Sequence, residues 1–97
     1  MAVLGCGPIG LFSIGIAKAS GAASVFAADM NEYRLGLAKQ MGADSTLNPG
    51  KPGSDGDIAQ WLVQANEGFG VAIVLEMSGA PSAIDAACHC LRKGGRV

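Results

Sequence analysis

The chain is predicted to be α/β, an open, doubly wound parallel sheet of the Rossmann type. Three observations predict this. Short apolar, strand-like runs alternate with helix-like segments along the whole sequence. Gly5, Gly7 and Gly10 form a G-x-G-x-x-G turn between the first such run and a long apolar helical segment. An acid, Asp29, closes the second strand-like run, about 20 residues beyond the last of these glycines.

Residues 2–4 read as a buried strand. Pro8 falls at the first helical position, where its missing N–H costs nothing. Ile9, Phe12, Ile16 and Ala19 share one helical face, with Leu11 and Ile14 on another. This helix is therefore expected to be buried nearly all round. Lys18 suits its C-terminal dipole, and Gly21 ends it. Residues 24–28 form the second expected strand. Asn31 then caps a helix with Glu32 in its first turn. Leu35, Ala38 and Met41 line one side of that helix. Gly36 weakens it by roughly 1 kcal/mol relative to alanine, and Gly42 stops it.

Residues 44–47 read as a short edge strand. Residues 48–56 are a turn-rich surface connection. Ile58, Trp61, Leu62 and Ala65 have helical spacing, and residues 71–75 form a continuous apolar strand. Pro81 opens a last helix with Ile84, Ala87, Cys88 and Leu91 on one face. Gly94-Gly95 is expected to break it, and Arg96-Val97 reads as the truncated beginning of a fifth strand. Right-handed crossovers then favour the strand order 3-2-1-4-5.

Composition narrows the function. Seven basic and eight acidic residues are well mixed, for a net charge of −1. No basic stripe points to nucleic acid or an anionic membrane. The apolar stretch 9–17 is too short to span a bilayer, and no secretory leader is evident. Cys6, Cys88 and Cys90 have no framework spacing, so a reducing cytoplasm is expected. Only 15% of residues are charged and 49% are hydrophobic, against a typical charged fraction of about 25%. Helices covering both faces of a parallel sheet explain part of this. Apolar surface belonging against a partner domain explains the rest.

The glycine turn carries the chemistry. Gly5 permits the tight turn, Gly7 admits a pyrophosphate close to the backbone, and Gly10 lets helix and strand pack closely. The N–H of Ile9, and that of Gly10, point toward phosphate oxygens at the helix N-terminus. Pro8 donates nothing and shapes the turn. Asp29 suits the adenosine ribose hydroxyls and would repel a 2′-phosphate by about 4 kcal/mol at 4 Å and an effective dielectric of 20. NAD is therefore expected over NADP. The bland alternative for Asp29 is an acid at a helix start. Arg34 either reaches the ribose or adenine edge or is a solvated surface arginine, and a guanidinium there would also tolerate a 2′-phosphate. Met77 and Ser78 follow the fourth strand, at the sheet's topological switch. They either line the cofactor pocket or form only a turn and helix cap. Cys88-His89-Cys90 does not converge on one ion from a helix. No catalytic residue and no metal ligand is assigned within the chain.

The series G-C-G-P-I-G, A-D-M-N-E-Y-R-L, A-K-Q-M-G-A-D, L-E-M-S-G-A-P and R-K-G-G-R-V resembles the cofactor domain of zinc-dependent medium-chain dehydrogenases over nearly all of the chain. The glycine loop is generic; N-E-Y-R-L and E-M-S-G-A-P are more specific. The resemblance implies transfer of hydride from a secondary alcohol, L-threonine or a related alcohol or polyol, to NAD. It implies that Gly5, Gly7 and Ile9 hold the pyrophosphate, Asp29 and Arg34 the adenosine, and Met77 and Ser78 the contacts after strand four. It also implies a catalytic zinc in the parent enzyme, held by a catalytic domain that this chain lacks, and a homo-oligomeric parent. Residues 1–97 are then a partial NAD-binding domain, inactive alone. The alternative is a non-catalytic dinucleotide-binding module or a truncated gene product.

Overall fold

A computed structural model describes residues 1–50 and 57–97. Its elements alternate as β1 (Ala2–Leu4), α1 (Pro8–Ala19), β2 (Phe26–Ala28), α2 (Glu32–Met41), β3 (Ser45–Leu47), α3 (Ile58–Ala65), β4 (Val71–Glu76), α4 (Pro81–Cys90) and β5 (Leu91–Arg96). Every strand pairing is parallel, and the order is β3-β2-β1-β4-β5. This is the doubly wound order expected from the sequence.

Alternation along the central strands builds two cores. Ala2, Leu4, Phe26 and Ala28 face one side, with Leu62 of α3 and Ala83, Ala87 and Cys90 of α4. Val3, Val25 and Ala27 face the other, with Ile14 and Ala17 of α1 and Leu35 and Ala38 of α2. Successive residues of a strand point to opposite faces, so a strand covered on both sides must be apolar throughout. Trp61 adds an edge-to-face contact with Phe26, ring centroids 6.1 Å apart.

Local chemistry sets most boundaries. Asn31 Oδ1 accepts the Arg34 N–H at 3.1 Å and starts α2. Asp57 Oδ1 accepts the Gln60 N–H at 2.9 Å and starts α3. Gly42 closes α2 with φ 120°. β2 and β3 begin later than expected, and one carboxylate explains it. Asp44 Oδ2 takes the Val25 N–H at 2.7 Å, while the Asp44 N–H donates to the Val25 carbonyl at 2.8 Å. Strand pairing therefore starts at Phe26 and Ser45. The carboxylate also meets Lys18 Nζ at 3.2 Å, tying the end of α1 to this edge. In the turn-rich connection, Asn48 Oδ1 accepts the Gly50 N–H at 3.0 Å; residues 51–56 of that expected loop lie outside the described residues.

Three expectations are corrected. The α1 helix is not buried all round: Ile9, Phe12 and Ile16 are 70%, 66% and 66% exposed. Gly10, Ile14 and Ala17 form its buried face instead. A Cβ on Gly10 would lie 2.0 Å from the Gly5 carbonyl oxygen, so the backbone contact at Gly10 decides which face meets the sheet. In α4 the buried stripe is Ala83, Ala87 and Cys90, while Ile84 and Cys88 are exposed. The helix also ends at Cys90 rather than at Gly94-Gly95. Leu91 is extended and opens β5, which runs through both glycines. The register jumps from Val71–Leu91 to Ile73–Arg96, a bulge that Gly94 accommodates with φ 78°.

Gly36 sits exposed inside α2, and a Cβ there would touch nothing within 4 Å. Gly36→Ala is expected to stabilise the fold by about 0.5–1 kcal/mol. A rise in the thermal unfolding midpoint checks this; a fall would mean that the glycine serves something other than the helix.

Candidate functional site

The C-terminal ends of β1, β2 and β4 meet at the point where chain order in the sheet reverses, the place where open α/β sheets bind ligands. The Gly5 N–H donates to the Ala28 carbonyl at 2.8 Å, and the Met77 N–H to the Leu4 carbonyl at 2.7 Å. These bonds fasten the end of β1 to both neighbours. Gly5 has φ 100°, and a Cβ on it would lie 2.7 Å from the Ser78 nitrogen. Only glycine fits between the loop and the turn after β4.

Gly7 differs in kind. Its backbone is extended (φ −69°, ψ −175°), and a Cβ would meet nothing within 4 Å. Neither strain nor packing requires a glycine there, and its open side is space beside a cavity. Pro8 is the first residue of α1, and no side chain caps the helix. The Leu11 N–H is bonded back to the Gly7 carbonyl at 2.9 Å. By helix geometry the N–H groups of Ile9 and Gly10 precede that bond and belong to the helix's free first-turn donors.

Asp29 stands where β2 ends. Its Oδ2 accepts the Cys6 N–H at 2.7 Å, and its Oδ1 accepts the Asn31 N–H at 2.8 Å. The carboxylate thus joins the glycine loop to the start of α2. Two carboxylate oxygens offer about four acceptor positions, so two remain open. Cys6 lies fully buried beneath it. Burial first, and the Asp29 charge second, push the Cys6 thiol up to about 11, against the opposing pull of Arg34. A thiol this weakly acidic is a packing group rather than a nucleophile.

A cavity of about 340 Å³ opens here, lined by Gly5, Gly7, Asp29, Arg34, Met77 and Ser78. Met30 and Ile58 add apolar wall. Six of the nine residues singled out in the sequence therefore share one cavity. Pro8, Ile9 and Gly10 lie outside its lining, in the first turn of α1. The volume falls within the roughly 300–1,000 Å³ of small-molecule and cofactor sites. A larger recess of about 810 Å³ lies between α3 and α4, reaching Asp57, Asp85 and His89, and shares Met30 and Ile58 with the first. It contains none of the glycine loop.

Two lining residues, Met30 and Ile58, and one residue behind the lining, Glu76, carry no site assignment from the sequence. Met30 directly follows Asp29, and that adjacency was its only signal. Ile58 comes from α3, across a long connection. Glu76 does not line the cavity, but its Oε1 accepts the Ser78 N–H at 2.7 Å and the Gly79 N–H at 3.2 Å, and also takes the Ser78 hydroxyl. An acid ending an apolar strand just before Ser-Gly was the available clue.

No three His, Cys, Asp or Glu side chains gather to hold a metal among the described residues. In Cys88-His89-Cys90, Cys88 is exposed and Cys90 buried. His89 Nδ1 lies 2.8 Å from the Asp85 carbonyl oxygen. That carbonyl, and then the Asp85 charge, raise the His89 pKa. These residues do not fit a zinc ion, whereas the open side of Gly7 and the spare acceptors of Asp29 do fit a dinucleotide. No helix among the described residues is long and apolar enough to cross a membrane.

A family model described as zinc-binding dehydrogenase matches residues 8–97. The chain is 48% identical over 95 residues to L-threonine 3-dehydrogenase of Bacillus subtilis (strain 168), covering 98% of this chain and 26% of that protein. It resembles the crystal structure of 2R,3R-butanediol dehydrogenase from Bacillus subtilis with a TM-score of 0.86 and 31% identity, covering 99% of this chain and 27% of that one. It also resembles a zinc-binding dehydrogenase from Sinorhizobium meliloti 1021, solved bound to NADP, with a TM-score of 0.86 and 27% identity over 97% of this chain and 27% of that one. The chain thus spans about a quarter of the length of the relatives it matches.

Proposed function

Because the chain belongs to the zinc-binding dehydrogenase family, we propose that residues 1–97 form the NAD-binding part of an enzyme that oxidises a secondary alcohol. L-threonine is the substrate we favour, since the first relatives are L-threonine 3-dehydrogenases at 38–48% identity. The observation that carries the reading is the meeting of Gly5, Gly7, Asp29 and Arg34 around one cavity at the switch point of the sheet.

In this reading Gly7 leaves room for the pyrophosphate, and the Ile9 and Gly10 N–H groups point at its oxygens from the start of α1. Gly5 and Gly10 keep the loop tight enough for that approach. Pro8 presets the helix and gives up no useful donor. Asp29 accepts the adenosine ribose hydroxyls with its two spare positions, while Arg34 and the apolar side chains of Met30, Met77 and Ile58 flank the adenosine. Ser78 shapes the wall between them. When bound, NAD supplies the hydride acceptor. The metal-holding catalytic domain is assigned to the remainder of a longer, homo-oligomeric, cytoplasmic protein. The exposed Ile9, Phe12 and Ile16 face of α1 is one apolar surface available to meet that remainder.

Purified protein from the complete reading frame is expected to reduce NAD with L-threonine faster than with 2,3-butanediol or simple secondary alcohols. Faster turnover of another alcohol would reassign the substrate. Absence of any alcohol-dependent NAD reduction would favour a non-catalytic dinucleotide-binding module instead.

A further inference from the structure

We propose that Glu76 is a positioning residue for the cofactor: its carboxylate holds the turn at residues 77–79 in the shape that walls the cavity beside the glycine loop. The inference rests on the reading of that cavity as a dinucleotide site.

Glu76 is the last residue of β4 and pairs with Leu4 at the end of β1. Its backbone is therefore anchored in the sheet. From there its side chain gathers the turn. Oε1 accepts the Ser78 N–H at 2.7 Å, the Gly79 N–H at 3.2 Å and the Ser78 hydroxyl, and Oε2 lies 3.3 Å from the Gly79 nitrogen. The Ser78 hydroxyl oxygen in turn accepts the Ala80 N–H at 3.1 Å. With the Met77 N–H on the Leu4 carbonyl, all three N–H groups of the turn are committed within the protein. Ser78 thus offers a ligand neither its N–H nor its hydroxyl proton. Its contribution is the shape that Glu76 imposes.

That shape matters because the turn is pressed against the glycine loop: the Ser78 nitrogen is the nearest atom to a Cβ built on Gly5. Met77 and Ser78 line the cavity and Glu76 does not. A carboxylate aimed into a pyrophosphate site would repel the ligand, and here it is turned back onto three donors. Burial pushes the Glu76 carboxyl up, but the bonds from Ser78 and Gly79 outweigh it and hold the group below its ordinary range. Gly79 has φ 72°, a conformation with many alternatives open to glycine once those bonds are lost.

The test compares wild type, Glu76→Ala and Glu76→Gln in the intact protein. The readouts are NAD titration calorimetry, the unfolding midpoint without cofactor, and amide hydrogen exchange at Ser78 and Gly79. Glu76→Ala is expected to weaken NAD binding about tenfold, because ordering the turn must then be done at binding. It should speed exchange at both amides and shift the midpoint by no more than about 2 °C. Glu76→Gln should recover most of the affinity, since its amide oxygen still accepts the two N–H groups. Wild-type affinity in Glu76→Ala would overturn the inference. So would equal losses in both variants that track a falling midpoint. A wild-type protein that itself fails to bind NAD would overturn the dinucleotide reading, and this inference with it.

Discussion

Gly10→Ala is expected to destabilise the fold severely, while Gly7→Ala leaves it standing and costs the cofactor. The two glycines belong to one fingerprint, yet their surroundings are opposite. A Cβ on Gly10 would lie 2.0 Å from the Gly5 carbonyl oxygen and 3.0 Å from its carbon. Both are backbone atoms of a loop fastened to β2, so nothing nearby yields cheaply. Separating α1 from the loop would also lift Ile14 and Ala17 from their core. Overpacking of this kind costs about 1–3 kcal/mol or more, a large share of a typical stability of roughly 5–15 kcal/mol. Gly7 meets nothing within 4 Å and has negative φ. Its alanine variant should unfold within about 0.5 kcal/mol of wild type. The new methyl would occupy the pyrophosphate's approach, so NAD affinity should fall by at least tenfold. Denaturant unfolding and NAD titration of the two variants check the contrast. Equal stability loss at both positions would show that Gly7 is structural.

Asp29→Ala is expected to weaken NAD and to favour NADP relative to it. Hydrogen bonds to a charged group are worth about 1.5–3 kcal/mol each, so losing the ribose contacts should raise the NAD Kd by roughly 10- to 100-fold. The variant also orphans the part-buried Cys6 N–H, which Asp29 holds at 2.7 Å, at a cost of about 1–3 kcal/mol. For NADP the sign reverses. The wild-type carboxylate is expected to oppose a 2′-phosphate, and its removal leaves the Arg34 guanidinium on the same cavity. Asp29→Asn separates the two effects, because its amide oxygen keeps one backbone donor satisfied while the charge is gone.

Most of the architecture was legible because each junction carries its own chemistry. Pro8 and Pro81 mark helix starts, Asn31 caps α2, and the glycine fingerprint puts β1 at the centre of a doubly wound sheet. The failures also have causes. Periodicity shows which residues of α1 are apolar, but not which face is covered. The close backbone approach at Gly10 chose the 10-14-17 face over the 9-12-16 face. The end of α4 at Cys90 is not legible because Leu91-Arg92-Lys93 carries no stop signal, and two glycines that usually break a helix here sit in a strand bulge. At the site, the spacing from Gly10 to Asp29 marked the loop and the acid. Glu76 is not marked by the sequence because its bonds go to a turn, which spacing does not encode.

In the proposed function, the cavity lined by the glycine loop and the turn after β4 takes NAD, with Asp29 reading the adenosine ribose. Titration calorimetry of the intact protein with NAD and with NADP, in wild type and Asp29→Ala, tests it most directly. The structural likeness to a dehydrogenase solved bound to NADP makes the comparison a real choice between cofactors. NAD is expected to bind at least tenfold tighter than NADP in wild type, with a ratio that collapses or inverts in Asp29→Ala. Equal affinities in wild type, or a ratio untouched by the substitution, would contradict it.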